Sequence, residues 1–310
     1  MKFLAGKLNL FTLFFFLIIV LFIYLFTTGF NQNSEKESQK EEQVVEGEIS
    51  NSSNEKVADG EEGKKSAGSI TGVEGEKQEE TTEKETVVET AAVVTPVNPY
   101  SDFIICIDPG HQEKANLDKE PIGPGASETK IKVTGGTTGV STRKPEYKLN
   151  LEASLMLGEL LEEKGFNVIY TRTTNDVNIS NRERADIANK NKADLYIRIH
   201  ADGSTDKNVS GFAVLTPSES NEYTKAIYAE SLKASESIVE AVKKSREIKV
   251  NGISFRADLS GFNWSEVPTT LVEMGYMTNP TEDEKLSNSD YLKNLITHIV
   301  DGITTYADTK

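Results

Sequence analysis

Three side chains in this 310-residue chain stand where strands end and chemistry begins. In "FIICIDPGH", His111 follows a strand-like apolar run by a Pro-Gly turn, and in "DLYIRIHADG", His200 closes a second run just before a turn-forming "ADG". Glu273 sits inside a third, "TTLVEMGYM", close to its end at Gly275. A carboxylate in an apolar run costs several kcal/mol unless it is neutralised, paired or bound to a metal. Ligands of open α/β sheets bind outside the carboxyl ends of strands. The three groups therefore converge on one edge of one sheet, and two neutral imidazoles with a carboxylate make a zinc set. The remaining histidine, His298, falls off the apolar stripe of the last helix and reads as a rim residue.

A catalytic zinc site needs a third protein ligand and one open position. The candidate is Glu146, which opens a helix in "KPEYKLNLEASL". Its bland reading is also good, because an acidic residue in the first turn stabilises the helix dipole without further purpose. Glu120, Glu128 and Asp108 are substitutes that sequence physics leaves open. Bound there, Zn²⁺ acidifies water toward a pKa of ~7 and polarises a carbonyl.

Short β-rich runs alternating with amphipathic helices have to position these groups. Strands are expected at 103–108, 167–171, 194–200, 211–216 and 269–274. They read as continuous apolar runs, as in a sheet covered on both faces. The helix from Glu146 places Leu149, Ala153, Met156, Leu157, Leu160 and Leu161 on one side and stops at Gly165. Further helices are expected at 180–191, 219–244 and 288–307. Arg182 and Arg184 in "NRERADIAN" read as structural, at a helix entry with buried hydrogen bonds from Asn189. Cys106, the single cysteine, reads as a small buried hydrophobe and excludes an intrachain disulfide.

Upstream, Leu8–Phe30 is a run of 23 residues without charge. At 1.5 Å per residue it can span a ~30 Å hydrocarbon core. Lys2 and Lys7 precede it, which puts the N-terminus inside and the rest outside. The rival is a cleaved signal peptide, giving a secreted form, but "TTGFNQNS" offers no good cleavage site. Residues 31–100 carry 17 acidic side chains against 7 lysines and no apolar period, the composition of a disordered tether. Of the net charge of −15, −10 lies in that segment and +2 in residues 1–30, leaving −7 to residues 101–310. No basic patch suits nucleic acid. The expected organisation is an anchor at 1–30, an acidic linker at 31–100 and one catalytic domain at 101–310.

The order "DPGH", a glutamate opening a helix with "LNL", "TR", "R.R...AN", "I.IHAD" and "P..LVEMGYMTNP" resembles the zinc-dependent N-acetylmuramoyl-L-alanine amidases (amidase type 3) of bacterial cell walls. The resemblance covers 101–310 and not the tether. It implies a twisted mixed β-sheet flanked by helices, of the phosphorylase/hydrolase-like kind. It also implies Zn²⁺ on His111, Glu146 and His200, with Glu273 as catalytic carboxylate. The implied substrate is peptidoglycan, cut at the amide between the lactyl group of N-acetylmuramic acid and L-alanine. A protein activator is a partner that the resemblance leaves open. The 34 residues between His111 and Glu146 exceed the usual spacing and read as an expanded active-site loop. Arg198 stands where a small residue is usual. By strand alternation it shares a face with His200, to meet a substrate carboxylate or to pair with Glu273 or Asp202. Asn263 and Trp264 precede the Glu273 strand and either line the groove or, for Trp264, pack the core. The competing functions are a zinc peptidase acting on the stem peptide and a catalytically silent wall-binding regulator.

Overall fold

A computed structural model describes residues 98–310. The apolar run 8–30 and the acidic segment as far as residue 97 lie outside the described residues. Among the described residues no helix is long and apolar enough to cross a membrane.

Six strands form one mixed sheet. They are β1 (Ile104–Pro109), β4 (Asn167–Tyr170), β5 (Leu195–Asp202), β6 (Phe212–Pro217), β7 (Val250–Arg256) and β8 (Thr269–Tyr276). Their spatial order is β4-β1-β5-β8-β6-β7. The first four run parallel, β6 is antiparallel to β8, and β7 is parallel to β6. A separate antiparallel hairpin, β2 (Asn116–Pro121) with β3 (Thr129–Val133), is inserted between β1 and the first helix.

Helices cover both faces. On one lie α1 (Glu146–Glu163), α3 (Tyr228–Val242) and α6 (Ser289–Ala307). Their buried stripes, Leu149, Leu157 and Leu161, then Ala234 and Ile238, then Leu295, Ile299 and Ile303, join Ile105, Ile107, Ile197, Ile199 and Val272 of the strands in one core. On the opposite face lie α2 (Asn181–Lys190) and the short α4 (Ser260–Asn263), over two small clusters. One holds Cys106 and Tyr196 with Ala185 and Ala188, the other Leu215 and Leu271 with Phe262. Successive strand residues thus alternate between two cores, which is why the strands read as continuous apolar runs. A last short helix, α5 (Pro280–Leu286), follows β8.

Helix ends follow local chemistry. After α1, Gly165 adopts φ 94°, its N–H donates to Glu162 and the Phe166 N–H donates to Leu161, a Schellman stop. Ser180 caps α2, accepting from the Glu183 N–H while Glu183 reaches back to the Ser180 N–H. The expected helix at 219–244 starts later, at Tyr228. Asn221 Oδ1 instead accepts from the Tyr223 N–H, and 218–227 make successive tight turns. At the start of the described chain, Tyr100 stacks on Phe166 with centroids 4.3 Å apart and donates its hydroxyl to Asp308 at 2.6 Å. His298 is half-buried on the rim of α6, as its place off the stripe implied.

Gly302 of α6 packs against the backbone of α3. An added Cβ would lie 2.5 Å from Ile238 Cα and 2.9 Å from the Ser237 carbonyl, neither of which can rotate away. Gly302→Ala would gain roughly 1 kcal/mol of helix propensity. We expect the overpacking to outweigh that gain and leave the domain about 1–2 kcal/mol less stable, read as a lower urea midpoint with unchanged slope.

Candidate metal centre

Each polar group is delivered by the end of an element. β1 ends in Asp108-Pro109, and Gly110 donates its N–H to the Ile199 carbonyl of β5 at 2.9 Å. That bond ties the turn to the strand carrying His200. Glycine is required here because a Cβ at Gly110 would fall within the His200 ring. His111 then takes φ 59°, a left-handed conformation rare for a residue with a side chain. Its Nδ1 lies 2.9 Å from the Thr134 carbonyl. A carbonyl can only accept, so Nδ1 carries the proton and Nε2 presents its lone pair.

Glu146, in the first turn of α1, is the meeting point. Its Oε1 is 3.2 Å from His111 Nε2 and 3.2 Å from His200 Nδ1. The same oxygen accepts from Asn150 Nδ2 at 3.0 Å and from the Ala201 N–H at 3.2 Å, while Oε2 accepts from the Thr137 N–H at 2.8 Å. Glu146 is 3% exposed, and both histidines are largely covered. Burial pushes the Glu146 carboxyl up, but the two imidazoles overturn this and hold it well below the ordinary range. Burial likewise pushes His111 down, and Glu146 reverses it to a net rise. His200, with burial dominant, is pushed down to about 4. Its Nε2 is buried and has no hydrogen-bond partner among the described residues.

Ligand atoms of His111, Glu146 and His200 all lie within 4.8 Å of one another. Tetrahedral zinc with ligands at ~2.0–2.1 Å separates its donors by roughly 3.3 Å. The two nitrogen-to-carboxylate distances of 3.2 Å match that spacing without rearrangement. The donor set, two imidazoles and one carboxylate, suits the same ion.

Glu273 stands directly opposite His200 across the β5/β8 pairing. Its Oε2 is buried and has no hydrogen-bond partner among the described residues. Burial, reinforced by Asp202 and Glu146, raises its pKa well above the usual carboxylate value.

The other candidates are placed elsewhere. Asp108 is fully buried and holds Arg184 Nη1 at 2.7 Å and Arg198 Nε at 2.8 Å, with the Thr171 and Tyr196 hydroxyls also donating. Arg198 is thus paired with Asp108, and its second contact is Asn181 Oδ1 at 2.7 Å. Parallel register puts Asp108 beside Arg198, a pairing invisible before the strand order is known. Glu120 accepts from the Arg182 N–H, and Glu128 is exposed. Of the four acidic candidates, Glu146 alone reaches the histidines. Asn263 is buried and accepts from Asn221 Nδ2 at 2.8 Å. Trp264 packs beside the Cys106 cluster, donates Nε1–H to the Pro121 carbonyl at 2.8 Å and lies under the Arg182 guanidinium. It anchors the hairpin, so what reads in the sequence as an expanded loop is a pinned β-ribbon.

Asn150 went unrecognised as part of the site. It lies four residues after Glu146, hence on the same helix face, and a polar residue in the apolar stripe "EYKLNL" was the available signal. Gly136 is a second such residue. At φ 77°, a Cβ there would come within 2.6 Å of Glu146 Oε2 and 2.9 Å of the His111 ring.

Sheet, histidines and neighbouring buried carboxyl define a hydrolase-like class of site whose His111, Glu146 and His200 could hold one metal ion. Residues 105–305 match the family model described as N-acetylmuramoyl-L-alanine amidase, and the chain belongs to that family. It is similar to an N-acetylmuramoyl-L-alanine amidase of Mycobacterium tuberculosis, with 25% identity over 232 residues, 73% of this chain and 94% of the relative. Among solved structures, it resembles the N-acetylmuramyl-L-alanine amidase Ami1 of Mycobacterium smegmatis, with TM-score 0.61, 25% identity, and 68% of this chain and 99% of that one covered. An N-acetylmuramoyl-L-alanine amidase of Clostridium difficile 630 gives TM-score 0.51 and 26% identity, covering 67% and 98%.

The Asp108 cluster generates a stability prediction. Burial pushes this carboxyl up, and Arg184, Arg198 and Thr171 overturn that and hold it below the ordinary range. A depressed carboxyl stabilises the fold above its unfolded pKa of ~3.9, and the stabilisation fades as pH falls toward the folded value. Asp108→Asn, which leaves two buried guanidiniums short of a counter-charge, should cost about 3–5 kcal/mol at pH 7. Urea melts at falling pH should show that gap narrowing by about 1.4 kcal/mol per unit below pH ~4.

Proposed function

We propose that this chain hydrolyses the amide joining the lactyl group of N-acetylmuramic acid to L-alanine in peptidoglycan, with Zn²⁺ held by His111, Glu146 and His200. The observation that carries the metal reading is the sharing of one Glu146 oxygen, at 3.2 Å, between two imidazole nitrogens. Family membership across residues 105–305 supports the bond and the substrate. A bound Zn²⁺ supplies Lewis acidity to the scissile carbonyl and to an attacking water.

The protein's own groups do the rest. Thr134 fixes the His111 tautomer, and the Asn150 and Ala201 donors orient the Glu146 oxygen between the rings. Glu273 takes the proton from water and returns it to the departing L-alanyl amine. A carboxyl that must also donate a proton is helped by a raised pKa, and burial beside Asp202 and Glu146 raises that of Glu273. Arg198, committed to Asp108 and Asn181, supports the floor of the site from below. The apolar run at 8–30 serves as the membrane anchor and 31–97 as a tether that keeps the domain in the wall space close to the membrane.

Glu273→Gln should retain stoichiometric zinc and lose about 10²–10⁴ in kcat. Zinc analysis beside a wall-clearing assay reads both, and a fully active variant removes Glu273 from the mechanism. His200→Ala should lose the metal along with activity. Purified wall digested by the wild type should gain free lactyl carboxyls on muramic acid together with L-alanine N-termini. New termini within the stem peptide, with the lactyl amide intact, would reassign the enzyme as a peptidase.

A further inference from the structure

We propose that Arg172 is a positioning residue that sets the spacing between His111 and the Glu146 helix, and through it the affinity of the site for a divalent cation. The inference rests on the metal reading above. Arg172 follows β4, is 3% exposed, and lies beneath the turn that carries His111. Its Nε donates to the Pro109 carbonyl at 2.8 Å. Its Nη2 donates to the Gly110 carbonyl at 3.0 Å and to the Tyr147 carbonyl at 2.9 Å. Its Nη1 donates to the Thr174 carbonyl at 3.1 Å and to Asn175 Oδ1 at 3.0 Å.

Gly110 precedes His111, and Tyr147 follows Glu146. One guanidinium nitrogen therefore bridges the two segments whose side chains must meet. Arg184 grips the same turn from the other side, donating to the Pro109 carbonyl at 2.8 Å and to the His111 carbonyl at 2.9 Å. Between them the two arginines bond the carbonyls of Pro109, Gly110 and His111. Those bonds hold the segment in which His111 keeps its left-handed φ of 59°. A guanidinium has five N–H donors in a fixed plane, and Arg172 places them on five acceptors. No donor remains for substrate, so Arg172 acts through His111 and Glu146. A lysine keeps the charge but offers its three donors from one point, which cannot reproduce the spread of the fork over Pro109, Gly110 and Tyr147 or reach Thr174 and Asn175 as well.

The test titrates Zn²⁺ into the full chain against a chromophoric chelator and measures the melting temperature of the metal-free protein in parallel. Arg172→Lys should weaken Zn²⁺ binding about 10–100-fold, the usual effect of losing an outer-shell partner, and should regain activity as Zn²⁺ is raised. A purely structural arginine would lower the metal-free melting temperature and leave the Kd of the folded protein unchanged. Asn175→Ala removes one acceptor of Nη1 at a half-buried loop position. It should raise the Kd about two- to fivefold with the metal-free melting temperature nearly unmoved. A wild-type Kd in folded Arg172→Lys overturns the proposal. Should that variant not fold, a wild-type Kd in Asn175→Ala does the same. A wild-type chain that fails to bind Zn²⁺ overturns the metal reading itself, a separate outcome.

Discussion

The site depends on one carboxylate oxygen reaching two imidazoles that come from different strands. Oε1 of Glu146 is 3.2 Å from His111 Nε2 and 3.2 Å from His200 Nδ1. An isolated buried carboxylate is costly, and here the cost is offset by two rings and three N–H donors from Thr137, Asn150 and Ala201. That arrangement fixes the rest. α1 must start where the turn after β1 can face it, and β5 must lie next to β1 so that His200 arrives from the adjacent strand. Both conditions hold in the order β4-β1-β5-β8. The parallel strands end on one side, so Glu273 on β8 arrives next to His200.

Beneath this edge lies a layer of buried charge that orients backbone. Asp108 pairs with both Arg184 and Arg198, and Arg184 and Arg172 direct other donors at the carbonyls that lead to His111. Such a layer is weak evidence for stability, since a well-packed apolar core of the same volume is often at least as stable. Its value is directional. Apolar packing cannot specify which way three successive carbonyls point, and fixed guanidinium planes can.

Much of this was legible from the chain alone. β1, β5, β6 and β8 carry a strong apolar signal because each is buried on both faces, whereas β4 is a half-buried edge strand, and the helices at 146 and 289 carry a clean 3.6-residue period. His111, His200 and Glu273 stood out because polar residues at the ends of such strands are costly or useful. Elements whose stability comes from tertiary contact left little trace. The β2–β3 ribbon reads "NLDKEP" and "TKIKV", with few apolar residues, and is held from outside itself by Trp264, Arg182, Asp258 and Asn181. β7 is an edge strand interrupted by Gly252 at φ 97°. The pairing of Arg198 with Asp108 left no trace in the sequence for a related reason. Alternation along one strand gives the face of a side chain, but its partner belongs to the neighbouring strand, and strand order is a property of the whole fold.

Asp108 and Glu273 show how far the surroundings decide what a carboxyl does. Asp108 lies on β1 and Glu273 on β8, the two strands that flank β5, and both are desolvated, which by itself raises either pKa. Asp108 has two guanidiniums within 2.8 Å and stays ionised. Around Glu273, Asp202 and Glu146 add to the effect of burial and outweigh the opposing pull of Arg256 and Arg198, so its protonated form is favoured. Desolvation therefore acts in the same direction on both groups, and the sign of the neighbouring charge separates them. One carboxyl becomes a permanent anion that holds arginines in place. The other is a carboxyl whose surroundings favour the protonated form, the property that the proposed acid–base role draws on.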